Sequence, residues 1–129
     1  MLASVFLALS ALIWLPYGLF CLFQPGYLAE AAGVAATTPT GTTELRAMYG
    51  GLQAAIGALA LVACLRPGLR RTALVTLVVL TAGLGSARLL GLALDGGFTA
   101  YTGAGLALEW TTFLLGRWIL RRDAAASRR

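Results

Sequence analysis

Hydrophobic residues form four long runs in this chain, and short groups of polar and turn-forming residues separate them. The runs cover residues 2–23, 45–65, 72–94 and 98–120. Crossing the hydrocarbon core of a bilayer takes about 20 helical residues, and each run meets that length. The turns after the first three runs are Gln24-Pro25-Gly26, Arg66-Pro67-Gly68 and Asp95-Gly96-Gly97. The pattern predicts an all-α, integral membrane four-helix bundle over residues 1–129, forming a single domain.

The first run also contains small residues, Ala8, Ser10 and Ala11, that resemble a signal-peptide cleavage site. A signal peptide has a basic start and an apolar stretch of about 7 to 15 residues. This run has no arginine before it and stays apolar as far as Phe23. We therefore expect a retained span, with cleavage as the less favoured alternative.

The composition indicates that a bilayer is the solvent. Of the 129 residues, 59% are hydrophobic and 12% are charged, whereas a soluble domain carries about 25% charged residues. Ten arginines outnumber five acids, so the net charge is +5. A nucleic-acid-binding protein concentrates its basic residues on one water-facing surface, but these arginines cluster at the ends of apolar runs. We therefore expect the lipid bilayer as a partner, and no nucleic acid.

The arginines also predict the direction of insertion, because positive residues are retained on the cytoplasmic side of a membrane. Eight of them lie between the second and third runs or at the end of the fourth: Arg66, Arg70, Arg71, Arg117, Arg121, Arg122, Arg128 and Arg129. Four spans would bring those two regions to the same face. We expect both termini to be cytoplasmic, with a long outer loop over residues 24–43 on the opposite face.

The first part of that outer loop, Pro25 to Ala32, is compatible with a short surface helix that places Tyr27 and Leu28 at the membrane interface. Thr43 is a candidate N-cap for the second span. A plain polar spacer is an equally good interpretation of the loop.

Polar residues inside the runs are the candidate functional positions, because ionisable groups within a membrane are costly and usually functional. Arg46, Tyr49 and Gln53 are spaced by three and four residues, which places them on one face of a helix. In the fourth run, Gly105 leaves a gap between Tyr101 and Glu109 on a shared face. The candidate ligand-binding residues are Glu44, Arg46, Tyr49, Gln53, Arg88, Asp95, Tyr101 and Glu109.

Arg88 and Glu109 are predicted to form a salt bridge inside the bundle. Arg88 lies about 10 Å below the outer end of its helix, at a rise of 1.5 Å per residue, and Glu109 lies near the midplane. A single charge at the bilayer centre costs on the order of 2.5 to 3.5 kcal/mol, so pairing is the least costly arrangement. Alternatively, Glu109 carries a proton, because burial disfavours the charged form of a carboxyl group.

Small residues predict that the second and third spans pack closely against each other. These residues are Gly50, Gly51, Ala54, Ala55, Gly57 and Ala58 in the second span, and Gly83, Gly85, Ala87 and Gly91 in the third. Trp110 and Trp118 are expected to face lipid, as in the aromatic belts of membrane proteins.

The chain offers little for metal or redox chemistry. It has no histidine and two cysteines, whereas a structural zinc site needs four ligands. No pairing of a nucleophile with a base is recognisable. We expect no metal site, no cofactor and no catalytic residue, and an enzymatic role is the least favoured hypothesis.

Two motifs are distinctive: Glu-x-Arg-Ala-x-Tyr-Gly-Gly from Glu44 to Gly51, and Ala-Arg-Leu-Leu-Gly from Ala87 to Gly91 followed by Asp95-Gly96. Phe23-Gln24-Pro25 precedes them and Glu109 follows. Together they resemble the small bacterial four-span membrane proteins filed as domain of unknown function 4345. The resemblance implies a multi-pass protein of the bacterial inner membrane, without an assigned activity. Its signature positions are Glu44, Arg46, Tyr49, Gly50, Gly51, Arg88, Gly91, Asp95 and Glu109. The chain also has a distant architectural likeness to DoxX-type membrane proteins.

These features favour an outer-facing polar cavity that binds or transports a small polar or lipid-like molecule. The number of ionisable groups supports this hypothesis, because fixing the packing register of the helices would require fewer of them. The alternative is an accessory or scaffolding subunit of a larger membrane complex, or a homo-oligomer. In that case the Arg88–Glu109 network serves only to fix helix packing.

Overall fold

Helices make up almost all of the computed structural model, which describes residues 1–126 and contains no strand in that range. A π-helical turn, Arg46–Gly51, joins the third and fourth α-helices into one continuous helix, and a 3-10 turn, Pro67–Leu69, precedes the fifth. Arg128 and Arg129, which contributed to the predicted orientation, lie outside the described residues. The α-helices are α1 (Leu2–Phe23), α2 (Tyr27–Ala32), α3 (Pro39–Leu45), α4 (Leu52–Leu65), α5 (Arg70–Asp95) and α6 (Ala100–Ala126).

Three helical segments are long and apolar enough to span a membrane: Leu2–Phe23, Pro39–Leu65 and Pro67–Asp95. Their outer surfaces expose large apolar side chains, such as Leu12 and Val79, and such surfaces are typical of a protein that contacts lipid. Of the helices described, α6 is long enough but lies outside this set. Its mean hydropathy is lower because it contains polar residues, among them Glu109 and Arg117.

The second long helix begins at Pro39 and not at Leu45, so the last part of the predicted outer loop is helical. Its N-cap is Thr38 and not Thr43. The Thr38 hydroxyl oxygen accepts a hydrogen bond from the backbone nitrogen of Gly41 at 3.1 Å. Proline at the first helical position needs no hydrogen-bond acceptor for its nitrogen, which favours a helix start there.

The short helix α2 covers one end of the packed helices. It ends at Gly33, whose φ of 69° is left-handed and suits a residue without a side chain. Leu28 is completely buried instead of lying at the membrane interface, and α2 contacts α6. The first part of the predicted outer loop therefore packs onto the helices as well as connecting them.

Close backbone packing pairs α4 with α1, and not with α5 as its small residues predicted. A Cβ atom on Gly18 of α1 would lie 2.8 Å from Cα of Ala54. A Cβ atom on Gly57 would lie 2.6 Å from Cα of Leu15. Gly18 lets α1 approach the small-residue face of α4, because a residue without a side chain on either helix allows the two backbones to come close.

The other main pair is α5 with α6. Gly85 faces Trp110, since a Cβ atom on Gly85 would lie 3.0 Å from Nε1 of that tryptophan. Trp110 thus packs between helices instead of facing lipid, whereas Trp118 is exposed. No described atom lies within 4 Å of a Cβ placed on Gly83 or on Gly91. These two glycines therefore take no part in close packing.

Antiparallel packing gives the structure two distinct ends. We call the end that contains Arg66, Arg70 and Arg117 the arginine end, and the opposite end the cavity end. The buried apolar core lies toward the arginine end, with Trp14 and Ile56 at its border. Its other members are Leu7, Ala11, Ala60, Ala63, Ala73, Leu74, Leu77 and Ile119.

Candidate functional site

A cavity of about 660 Å³ opens between α1, α4, α5 and α6 toward the cavity end. Binding sites for small molecules typically have volumes of about 300 to 1,000 Å³. Much of its wall is apolar, with Ile13, Leu52, Ile56, Leu84 and Leu108 among the lining residues. The polar residues that line it are Tyr17, Tyr49, Gln53, Arg88, Tyr101 and Glu109, together with Trp14 and Tyr27.

Arg88 and Glu109 form the salt bridge that their positions predicted. Nη2 of Arg88 lies 2.7 Å from Oε1 of Glu109, and Nε donates to Oε2 at 3.1 Å. The Glu109 side chain is 4% exposed and that of Arg88 is 29% exposed. The carboxylate therefore lies deep in the wall with both oxygens bonded, while part of the guanidinium remains accessible. A two-point contact of this kind fixes orientation as well as charge.

Gly105 makes room for this pair. A Cβ atom on Gly105 would lie 2.8 Å from Cζ of Arg88. The guanidinium thus occupies the gap that was predicted between Tyr101 and Glu109 on α6. A side chain at this position would require the guanidinium to shift.

A second polar contact connects α1 to α6 across the cavity. The hydroxyl oxygens of Tyr17 and Tyr101 lie 2.7 Å apart, so one hydroxyl donates to the other. Tyr101 was a predicted site residue, but Tyr17 was not. Tyr17 lies three residues after Trp14, the same helical face, and this aromatic spacing in an aliphatic run was the available signal.

Tyr49 and Gln53 line the cavity, as their shared face predicted, but Arg46 does not. Nη1 of Arg46 instead donates to the carbonyl oxygen of Leu22, in the last turn of α1. Such terminal carbonyls lack a partner within their own helix, and a cation near them is favourable. The π-helical turn spans Arg46–Gly51 and changes the register between Arg46 and Tyr49 relative to a regular α-helix, so a spacing of three no longer places these two residues on one face.

The structure does not bring Glu44 or Asp95 to the cavity. Both are exposed: Glu44 lies in α3, and Asp95 is the last residue of α5. Of the five charged residues among the candidate ligand-binding positions, only Arg88 and Glu109 line the cavity.

Trp14 lines the cavity but, within the described part of the chain, lacks the hydrogen bond that a buried indole usually makes. Its side chain is 4% exposed, and its indole nitrogen has no hydrogen-bond partner among the described residues. The apolar lining residues could not be separated by sequence from their lipid-facing neighbours, because leucine and isoleucine suit both environments equally.

Within residues 1–126, no cluster of three His, Cys, Asp or Glu side chains could hold a metal ion.

Comparison with known proteins gave one match. A family model described as "Domain of unknown function (DUF4345)" matches residues 2–120, which include both motifs and Glu109, and this confirms the resemblance in the sequence. Neither the curated proteins nor the solved structures include a match to this chain. The distant likeness to DoxX-type proteins therefore has no support from these comparisons.

Proposed function

This chain belongs to the family described as domain of unknown function (DUF4345), and we propose that it is an inner-membrane protein of bacteria that binds a small amphipathic molecule. The apolar part of that molecule contacts the aliphatic wall of the cavity. Its head group contacts Tyr49, Gln53, Arg88 and Tyr101, with Glu109 behind Arg88.

The observation that carries this proposal is that aliphatic side chains and a few polar groups line the same cavity. Aliphatic side chains such as Leu52 and Leu84 lie in the same cavity as the Arg88–Glu109 pair and the Tyr17–Tyr101 contact. An apolar cavity with a few convergent polar groups is the usual form of a small-molecule site. The polar groups provide orientation and the apolar wall provides most of the affinity.

Binding is better supported than passage through the protein. The core toward the arginine end contains fully buried residues from three helices, Leu7, Ala60 and Ala73. A transported molecule would have to displace this packing. We therefore propose a binding site with a single entrance at the cavity end.

We further propose that α6 is a fourth span and that both termini are cytoplasmic. Arginines gather where α4 and α5 connect and near the end of α6, as expected of a cytoplasmic face. Trp118 lies under the guanidinium of Arg122, with 5.0 Å from Cζ to the ring centroid, an arrangement suited to a membrane interface. A reporter that is active only outside the cytoplasm should be inactive when fused to the C-terminus, and activity there would contradict this topology.

Filling the cavity should weaken binding. Ala104 lines the cavity and is exposed to it, so phenylalanine at this position would occupy the space without entering the core. We expect Ala104→Phe to weaken binding at least tenfold, which corresponds to about 1.4 kcal/mol. The probes are methyl undecyl ketone, dodecanoate and undecylammonium, which share one tail. Their saturable binding is measured to protein in lipid nanodiscs, with binding to empty nanodiscs subtracted.

Ala107→Phe is the matched control, because Ala107 is on the same helix and exposed but does not line the cavity. It should bind like the unmodified protein. Equal losses in both variants, or saturable binding of none of the three probes to the unmodified protein, would contradict the proposed function.

A further inference from the structure

We infer that the cavity selects molecules with a neutral head group rich in hydrogen-bond acceptors, such as a carbonyl group, over those with a charged head group. This inference rests on the proposed function and adds the head-group chemistry of the same site. It follows from the charges and the unused hydrogen-bonding groups in the wall.

The charges in the wall cancel. Arg88 from α5 and Glu109 from α6 are the only residues with an ordinarily charged side chain among those that line the cavity, within the described part of the chain. Bonds from Nε and Nη2 of Arg88 engage both carboxylate oxygens. The other charged candidates lie elsewhere, with Arg46 on the end of α1 and Glu44 and Asp95 exposed.

A charged head group would therefore lose its water without gaining an unpaired counter-charge. Burying an ion in an apolar setting is costly unless it is paired. An anion close to Arg88 would also approach the carboxylate of Glu109, and a cation would approach the guanidinium first. Arg88 is the more exposed member of the pair, so a head group meets the guanidinium donors first. The carboxylate of Glu109 behind them cancels the charge of the guanidinium.

The unused polar groups in the wall include several hydrogen-bond donors. Within residues 1–126, Nη1 of Arg88 has no acceptor, and neither the Tyr49 hydroxyl nor the Gln53 side chain has a hydrogen-bond partner. The Tyr17 and Tyr101 hydroxyls are already engaged, since one donates to the other and Cys21 is a further hydrogen-bond partner of Tyr17. Arginine can only donate, whereas a tyrosine hydroxyl and a glutamine amide can either donate or accept. A carbonyl oxygen would satisfy these donors without adding a charge.

The test compares head groups on a constant tail. Dodecanoate and methyl undecyl ketone have nearly the same shape but differ by one negative charge, and undecylammonium carries a positive charge instead. At a pH where dodecanoate is ionised, the unmodified protein in nanodiscs should bind the ketone at least tenfold more tightly than either ion.

Glu109→Gln supplies the second arm, because it leaves the positive charge of Arg88 uncompensated while keeping the side-chain shape. The preference should reverse, with dodecanoate then bound at least tenfold more tightly than the ketone. Arg88→Gln should instead favour undecylammonium. Folding of each variant is checked by its thermal unfolding in detergent, and the comparison in the unmodified protein stands even where a variant fails to fold.

The possible outcomes separate this inference from the proposed function. Preference of the unmodified protein for dodecanoate or undecylammonium would overturn the inference but leave the binding site. Unchanged preference in a folded Glu109→Gln protein would overturn it as well. Saturable binding of no probe to the unmodified protein would overturn the proposed function and the inference together.

Discussion

Gly18→Ala is expected to disrupt the pairing of α1 with α4 and to lower the free energy of unfolding by about 3 kcal/mol. The added Cβ would lie 2.8 Å from Cα of Ala54 and 2.8 Å from the carbonyl carbon of Gln53. Both atoms belong to the backbone and cannot rotate away as a side chain does. The two helices would have to separate, and contacts along their length would weaken. Unfolding of the purified protein by titration with sodium dodecyl sulfate measures the effect.

Gly83→Ala is the matched control, since a Cβ at this position meets no atom within 4 Å. Gly83 lies within α5, and alanine is favoured over glycine in a helix by about 1 kcal/mol. This variant should therefore be as stable as the unmodified protein or slightly more stable. Equal destabilisation by the two substitutions would show that close contact between α1 and α4 is not the cause.

Removing only one partner of the Arg88–Glu109 pair should be costly, and removing both should be much less so. Arg88→Met leaves an almost fully buried carboxylate unpaired, and we expect a loss of about 2 kcal/mol, below the range for a pair that is buried on both sides. Glu109→Met should cost less, because Arg88 is 29% exposed and can reach water. The double variant should recover most of the stability. A double-mutant cycle of unfolding free energies measures the coupling between the two residues.

Binding distinguishes the two roles that this pair can have. If Arg88 and Glu109 orient a head group, the double methionine variant is stable but binds methyl undecyl ketone at least tenfold more weakly. Full recovery of both stability and binding would instead support the scaffolding hypothesis, in which the pair only fixes helix packing. Independent costs that add without coupling would contradict the salt bridge itself.

The helices were predictable because a bilayer imposes a length and a composition that are visible in one dimension. Runs of apolar residues and the turns between them indicated where long helices lie, and the cost of an unpaired charge indicated that Arg88 would meet Glu109. The start at Pro39 was less evident. It depends on a cap at Thr38, and residues 39–44 are too polar to extend the apolar run.

The cavity itself was less predictable than its ion pair. Regular spacing assigned Arg46 to the face of Tyr49 and Gln53, but the π-helical turn changes that register and Arg46 bonds to Leu22 instead. Tyr17 joins the site through Tyr101, which is distant in sequence. Neither the contact of Arg46 with Leu22 nor that of Tyr17 with Tyr101 can be identified from the neighbouring residues in the chain.

The sequence by itself determined that this protein is helical, suited to a bilayer, a member of its family and in need of pairing Arg88 with Glu109. Those properties depend on hydropathy, motifs and the energy of a buried charge, and each can be evaluated from the order of residues along the chain. Only the tertiary structure decided which helices pair, which aliphatic side chains face a cavity and which charges stay outside it. Glycine packs equally well against any close backbone, and leucine is equally suited to lipid and to a cavity wall, so these choices depend on how the helices are arranged together.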